Sequence, residues 1–166
     1  KAYELAPGDA YTVGHISYIT VLSGRGCNDT DELKKKFFID ENACERLQLG
    51  YDWALQAHKL DAISSMTFDN YGLGHYYAET GQYEKMLQIY EEVPTPAFHW
   101  WNLYMGEANH NLGNLERARH FYEAARKSYL SITDKPLDKL AVGNRVWNQE
   151  ISTETRYQHL KTYGWE

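Results

Sequence analysis

Proline and cysteine are scarce in this sequence, with 4 prolines and 2 cysteines. So few prolines leave long stretches with nothing to break a helix. Cys27 and Cys44 supply neither a disulfide framework nor the paired spacing of a zinc site, and they are read as two reduced thiols of a cytoplasmic protein. No apolar run approaches the ~18 residues of a membrane span, and no signal-like segment opens the chain. Basic residues are the minority, 17 against 23 acidic, for a net charge of −6. That balance opposes nonspecific nucleic-acid binding, which needs a positive surface to displace counterions. The one basic run, Lys34-Lys35-Lys36, reads as a solvated helix face.

Patterns of catalysis are also missing. There is no phosphate-cradling glycine loop, no nucleophile elbow and no Cys/His pairing. The seven histidines are scattered without ligand spacing. Glu107 and His110 form a single Glu-x-x-His pair, half of the motif that builds a carboxylate-bridged di-metal site, and no second pair occurs. Glu116 and His120 read as an i,i+4 neighbour pair on a helix. The chain is therefore read as a non-enzyme that needs no metal or cofactor.

What the chain does have is bulk and repetition. Apolar residues make up 43%, with 14 tyrosines and 5 tryptophans, enough for a packed core of helices with large side chains in their grooves. The segment Leu73 to Tyr83 aligns with Met105 to Leu115: large apolar, Gly, six residues, Gly, any residue, large apolar. Spaced apolar residues follow each second glycine, Met86, Tyr90 and Val93 in one copy and Ala118, Tyr122 and Ala125 in the other. Gly81 and Gly113 stand 32 residues apart. Gly74 and Gly106 fall in mid-helix, where glycine costs about 0.5–1 kcal/mol relative to alanine, a cost accepted when a neighbouring helix must come close. Gly81 and Gly113 fall where a left-handed helix stop favours glycine.

These two units, covering 67–130, resemble tetratricopeptide repeats, whose period is ~34 residues. The resemblance implies an all-α fold, an alpha-alpha superhelix built as a right-handed solenoid of antiparallel helix pairs. Residues 67–97 and 98–130 are the two clear repeats. Residues 10–62 read as an expanded repeat, with a first helix from Tyr11 to Gly24, an insertion at about 25–42 and a second helix from Ala43 to Leu60. Thr30 or Asp31 is expected to cap a short helix, Glu32 to Phe38, within the insertion. Residues 1–9 resemble the end of a preceding repeat, so the chain reads as the C-terminal part of a longer array. Residues 131–166 read as a capping segment, with a last helix from Ile151 to Tyr163 and Trp147 and Trp165 as anchors. The ending His159 to Glu166 resembles the one that follows tetratricopeptide tails of bacterial class III adenylate cyclases and some winged-helix regulators, by Leu160, Lys161, Gly164 and Glu166.

Members of this family bind a peptide or protein partner in the concave groove lined by the first helix of each pair. The matching positions here are Tyr11 and Tyr18 in the first unit, and Tyr71, His75 and Glu79 in the second. In the third they are Leu103, Glu107, His110 and Asn111, with Trp100 as an aromatic contact beside them and Trp101 in the core. Family members that grip a C-terminal carboxylate use lysine, arginine and asparagine there. Tyr71, His75, Leu103 and Tyr104 supply no cation, so a chaperone-tail adaptor is not expected. Self-association as a homodimer and a small-molecule pocket in the groove are the alternatives. The setting implied is cytoplasmic, within a larger bacterial signalling protein.

Overall fold

The computed structural model describes residues 8–37, 39–60, 68–92, 99–132 and 163. It does not describe the side chains of residues 33, 36, 37, 68, 69, 92, 99, 100 and 128–132. Every regular element among these residues is a helix: α1 Ala10–Ser23, α2 Asp31–Phe37, α3 Ala43–Leu60, α4 Phe68–Glu79, α5 Tyr83–Glu92, α6 His99–Asn111 and α7 Leu115–Ile132. The fold is all-α. The chain divides into two compact units: residues 1–28 with 39–94, and residues 29–38 with 95–166. The expected capping segment and the end of a preceding repeat fall almost wholly outside the described residues.

The first unit is built on a three-way contact of α1, α3 and α4. Asp9 caps α1, its carboxylate accepting a hydrogen bond from the Thr12 N–H at 2.8 Å. Small residues then let the backbones meet. A Cβ at Gly50 would stand 2.6 Å from Val21 N, and one at Gly72 would stand 2.6 Å from Ser17 Oγ. In that space the buried Ser17 hydroxyl donates to the Gly50 carbonyl at 2.8 Å, so no polar atom of the serine is stranded. Gly24, which ends α1, lies at φ −96°, outside the left-handed region. It is glycine because a side chain would collide with the α3 backbone at Ala43 and Leu47. Val13, Val21, Leu47, Ala54 and Ala57 close the core around this contact.

The two expected repeats share one packing device. A Cβ at Gly74 would collide with the ring of Tyr90, and one at Gly106 would come 2.7 Å from ring carbons of Tyr122. Each tyrosine stands sixteen positions after its glycine and is fully buried. The glycine on the first helix is a socket, and the tyrosine on the returning helix fills it. The short turn between helices has the same form in both. Gly81 at φ 70° and Gly113 at φ 79° are left-handed. Gln82 N donates to Tyr77 O and Asn114 N to Asn109 O, each at 2.8 Å, closing a Schellman stop. Burying an aromatic side chain is worth roughly 2–3 kcal/mol, more than the helix penalty of about 0.5–1 kcal/mol for its glycine. Ala118 and Ala125, both fully buried, keep α7 thin on either side of Tyr122.

The cysteines correct the sequence reading. Cys27 and Cys44 are not two reduced thiols but a disulfide, with Cα atoms 4.9 Å apart. Their separation of 17 residues fits no motif. It is the return of the chain at the start of α3 that sets Cys44 beside the turn after α1.

The socket predicts a specific loss of stability. Gly106→Ala should unfold in urea with stability reduced by about 1–3 kcal/mol, while Gly8→Ala, with nothing near its Cβ, should change by less than about 0.5 kcal/mol. Equal midpoints for the two variants would remove the socket from the account.

Candidate functional site

The residues expected to line a groove divide sharply by burial. Tyr71, His75, Leu103 and Glu107 are 7%, 0%, 0% and 2% exposed, which makes them core. The physical reason is visible around His75. Tyr18 stacks on its ring with centroids 5.6 Å apart, Tyr90 meets it edge-on at 6.2 Å, and one Arg25 guanidinium nitrogen lies 3.3 and 3.4 Å from its two ring nitrogens. Tyr71 packs beside them, 5.9 Å from Tyr18 and 6.5 Å from Tyr90. Burial and the neighbouring Tyr18 push the Tyr71 phenol above its usual range. Arg25 is itself buried. Glu79 is partly buried and serves the turn: its carboxylate accepts from Gly26 N at 3.0 Å and its carbonyl from Asn28 Nδ2 at 3.0 Å. A face of tyrosine and histidine that looked like a lined groove is mostly the inside of the first unit.

Tyr11, at 51% exposure, and Asn111 remain on the surface. Tyr18 and His110 are half-buried. The side chain of Trp100 lies outside the described residues, whereas Trp101 is buried against Phe121 at 5.8 Å, as expected.

His110 leads to a site that the groove reading did not find. It sits near the end of α6, and its Nδ1 is 3.0 Å from the hydroxyl of Tyr163. The Tyr163 ring in turn lies 5.0 Å from that of Tyr122, the residue that fills the Gly106 socket. One face of α7 completes the walls with Leu115, Glu116, Arg119, His120 and Glu123, around a cleft of about 660 Å³. These five follow the i, i+4, i+8 spacing of a single helix face. Tyr163, from the far end of the chain, carries no sequence signal that would place it there. Glu116 and His120 are i,i+4 neighbours on α7, as the spacing suggested; both line the cleft, and His120 rests its ring edge-on to Phe121 at 5.5 Å. Among the described residues Glu116, Arg119 and Glu123 make no ion pair with one another. Burial holds the His110 imidazole below its usual range, which favours the neutral ring beside Tyr163. Burial pushes the Tyr163 phenol up, with Arg119 opposing.

A second cluster, also missed, lies in the first unit. Tyr51 and Tyr76 stack with centroids 4.1 Å apart, Tyr77 meets both near 6 Å, and the Lys85 ammonium stands 5.5 Å from the Tyr77 ring centre. Burial, then the bond to Tyr51, takes the Tyr77 phenol to about 12. Tyr76 donates to Gln48 at 3.2 Å, which holds Asp52 at 3.0 Å. All three rings are half-buried and engaged with one another. The cluster joins α3 to α4 through these ring contacts.

Among the described residues no three His, Cys, Asp or Glu side chains come together as a metal-ligand set. Glu107 is enclosed in the core, and its carbonyl accepts from Asn111 Nδ2 at 2.9 Å. No protein-family model, no curated protein and no solved structure matches the chain.

The His110–Tyr163 contact is open to titration. Folding lowers the proton affinity of His110, so the unfolded chain protonates first as the pH drops below about 6.5. Native stability is therefore lost through the window from about 6.5 down to the lowered native value, and it is unaffected by His110 above that window. In NMR titration the His110 midpoint should lie below 6.5 and rise toward it in Tyr163→Ala, which rehydrates the ring. An unchanged midpoint would mean that Tyr163 does not shield it.

Proposed function

We propose that the chain is a protein-interaction scaffold of the tetratricopeptide kind, whose helix pairs belong to a right-handed superhelix and which takes a peptide or protein partner. The supporting observation is the cleft of about 660 Å³ formed on the α6–α7 pair and Tyr163. Its backing is a tightly packed helix pair, so its walls are held in place before any partner arrives, which lowers the entropic cost of binding. Its heads are mixed in sign: two carboxylates, a guanidinium and two imidazoles, with a phenol and a leucine between them. Such a surface suits a segment carrying both charged and apolar side chains better than it suits polyanionic nucleic acid. The partner surface moves from the expected inner aromatic face to this cleft, because Tyr71, His75, Leu103 and Glu107 are consumed by the core.

The exposed Tyr11 and Ile19 of α1, at 51% and 56%, favour a second reading in which this helix serves self-association. Neither reading gives the chain a catalytic role. The scaffold would serve as the regulatory part of a larger signalling protein. No helix among the described residues is long and apolar enough to cross a membrane. A cytoplasmic setting requires the Cys27–Cys44 bond to open there, because glutathione and thioredoxin keep thiols reduced.

Panning a random peptide display library against the chain tests the scaffold reading. Enriched peptides should lose at least tenfold in affinity, about 1.4 kcal/mol, with Arg119→Ala and Glu123→Ala combined, while the melting temperature holds. Tyr71→Ala with His75→Ala should instead lower the melting temperature. Selection of no peptide, or of peptides indifferent to the cleft substitutions, would contradict the proposal.

A further inference from the structure

The disulfide joins two unlike sulfurs. Cys27 is 6% exposed, set in an apolar cluster with Val21, Ala43 and Leu47. Cys44 is exposed, on the first turn of α3. A thiolate reaches a disulfide sulfur only where it has access, and attack is governed by which sulfur is open. Between the two cysteines runs the insertion that carries α2. Its stem is also held by polar ties and by Ile39, which packs on the Cys27 cluster. Arg46 forks onto Asp40 at 2.9 and 3.0 Å and onto the Ser23 carbonyl at 2.9 and 3.1 Å, and Asn28 reaches the Glu79 carbonyl at 3.0 Å. Asp40 is 57% exposed and Arg46 30%, so solvent screens that pair and it adds little on its own. The covalent bond closes the loop at its base.

We infer that Cys27–Cys44 is a thiol-exchange site, a clasp on the insertion that opens to a dithiol reductant through Cys44. In the first step the reductant's thiolate attacks Cys44 Sγ. A mixed disulfide forms, the Cys27–Cys44 bond breaks, and Cys27 leaves as a thiolate that takes up a proton. In the second step the reductant's other thiol attacks its own sulfur in the mixed disulfide and releases Cys44 as a thiol. The reductant ends as a cyclic or paired disulfide, having supplied two electrons and two protons. Opening restores to residues 28–43 the freedom that a closed loop of this length withholds. The chain then keeps the helices of the first unit and loses the fixed stem of its insertion. In an oxidising compartment the clasp stays shut; in a reducing one it stands open.

Three measurements test this. Chain incubated with oxidised glutathione, then unfolded in alkylating agent, should carry no label at either cysteine, and both should be labelled after reduction; two labelled thiols without reductant would overturn the disulfide. In the folded chain, reduction with dithiothreitol should accelerate proteolytic cleavage within 28–43 roughly tenfold and lower the melting temperature by roughly 5–10 °C. The Cys27→Ser/Cys44→Ser double variant should behave so without reductant. Unchanged cleavage in both would overturn the clasp. Finally, Cys44 in Cys27→Ser should react with an aromatic disulfide reagent at least tenfold faster than Cys27 in Cys44→Ser. Equal rates in two folded variants would overturn the assignment of Cys44 as the point of attack.

Discussion

The fit of a tyrosine ring against a helical glycine is the constraint on which both clear helix pairs depend. At Gly74 and at Gly106 the returning helix comes so near that any side chain would collide with the ring of Tyr90 or Tyr122. The glycine weakens its own helix, and the buried aromatic more than offsets that loss. The left-handed turns at Gly81 and Gly113 bring the partner helix back at the right point, and the Schellman bonds satisfy the carbonyls that the stop would strand. Two glycines of different purpose thus act together, one for approach and one for reversal.

This close approach also decides where function can lie. Once Tyr90 occupies its socket, Tyr71, His75 and Tyr18 gather around it as a packed aromatic group, sealed by Arg25. Their chemistry is spent on the fold. In the other unit the Tyr122 socket has the opposite consequence. Tyr163 packs on Tyr122 and holds His110, and the adjoining face of α7 stays open. A scaffold that binds through that face would use a surface fixed indirectly by the same glycine–tyrosine contact.

Helix boundaries and the paired glycines were legible in the sequence because their causes are local. Left-handed stops, helix-interior glycines and apolar spacing are each settled within a few residues. The α2 helix was anticipated to within a residue for the same reason, since Thr30 and Asp31 mark its start. Burial around His75 was not legible, because a stripe of tyrosine and histidine on a first helix reads equally as groove lining or as core. What separates the two is Arg25 and Tyr18, fifty and fifty-seven positions away. The disulfide was hidden for the same reason, as a spacing of 17 residues has no meaning until the chain turns back. Tyr163 is the extreme case, meeting His110 across 53 residues.

The histidine-bearing aromatic face of α4 is interior, and the accessible imidazoles lie elsewhere. Diethyl pyrocarbonate labelling of the folded chain, mapped by mass spectrometry, tests it directly. His58 and His120, both exposed, should be modified in the native chain, while His75, fully buried, should stay unmodified until the chain unfolds. Modification of His75 in the native chain as fast as His120 would contradict the account and return that face to the solvent.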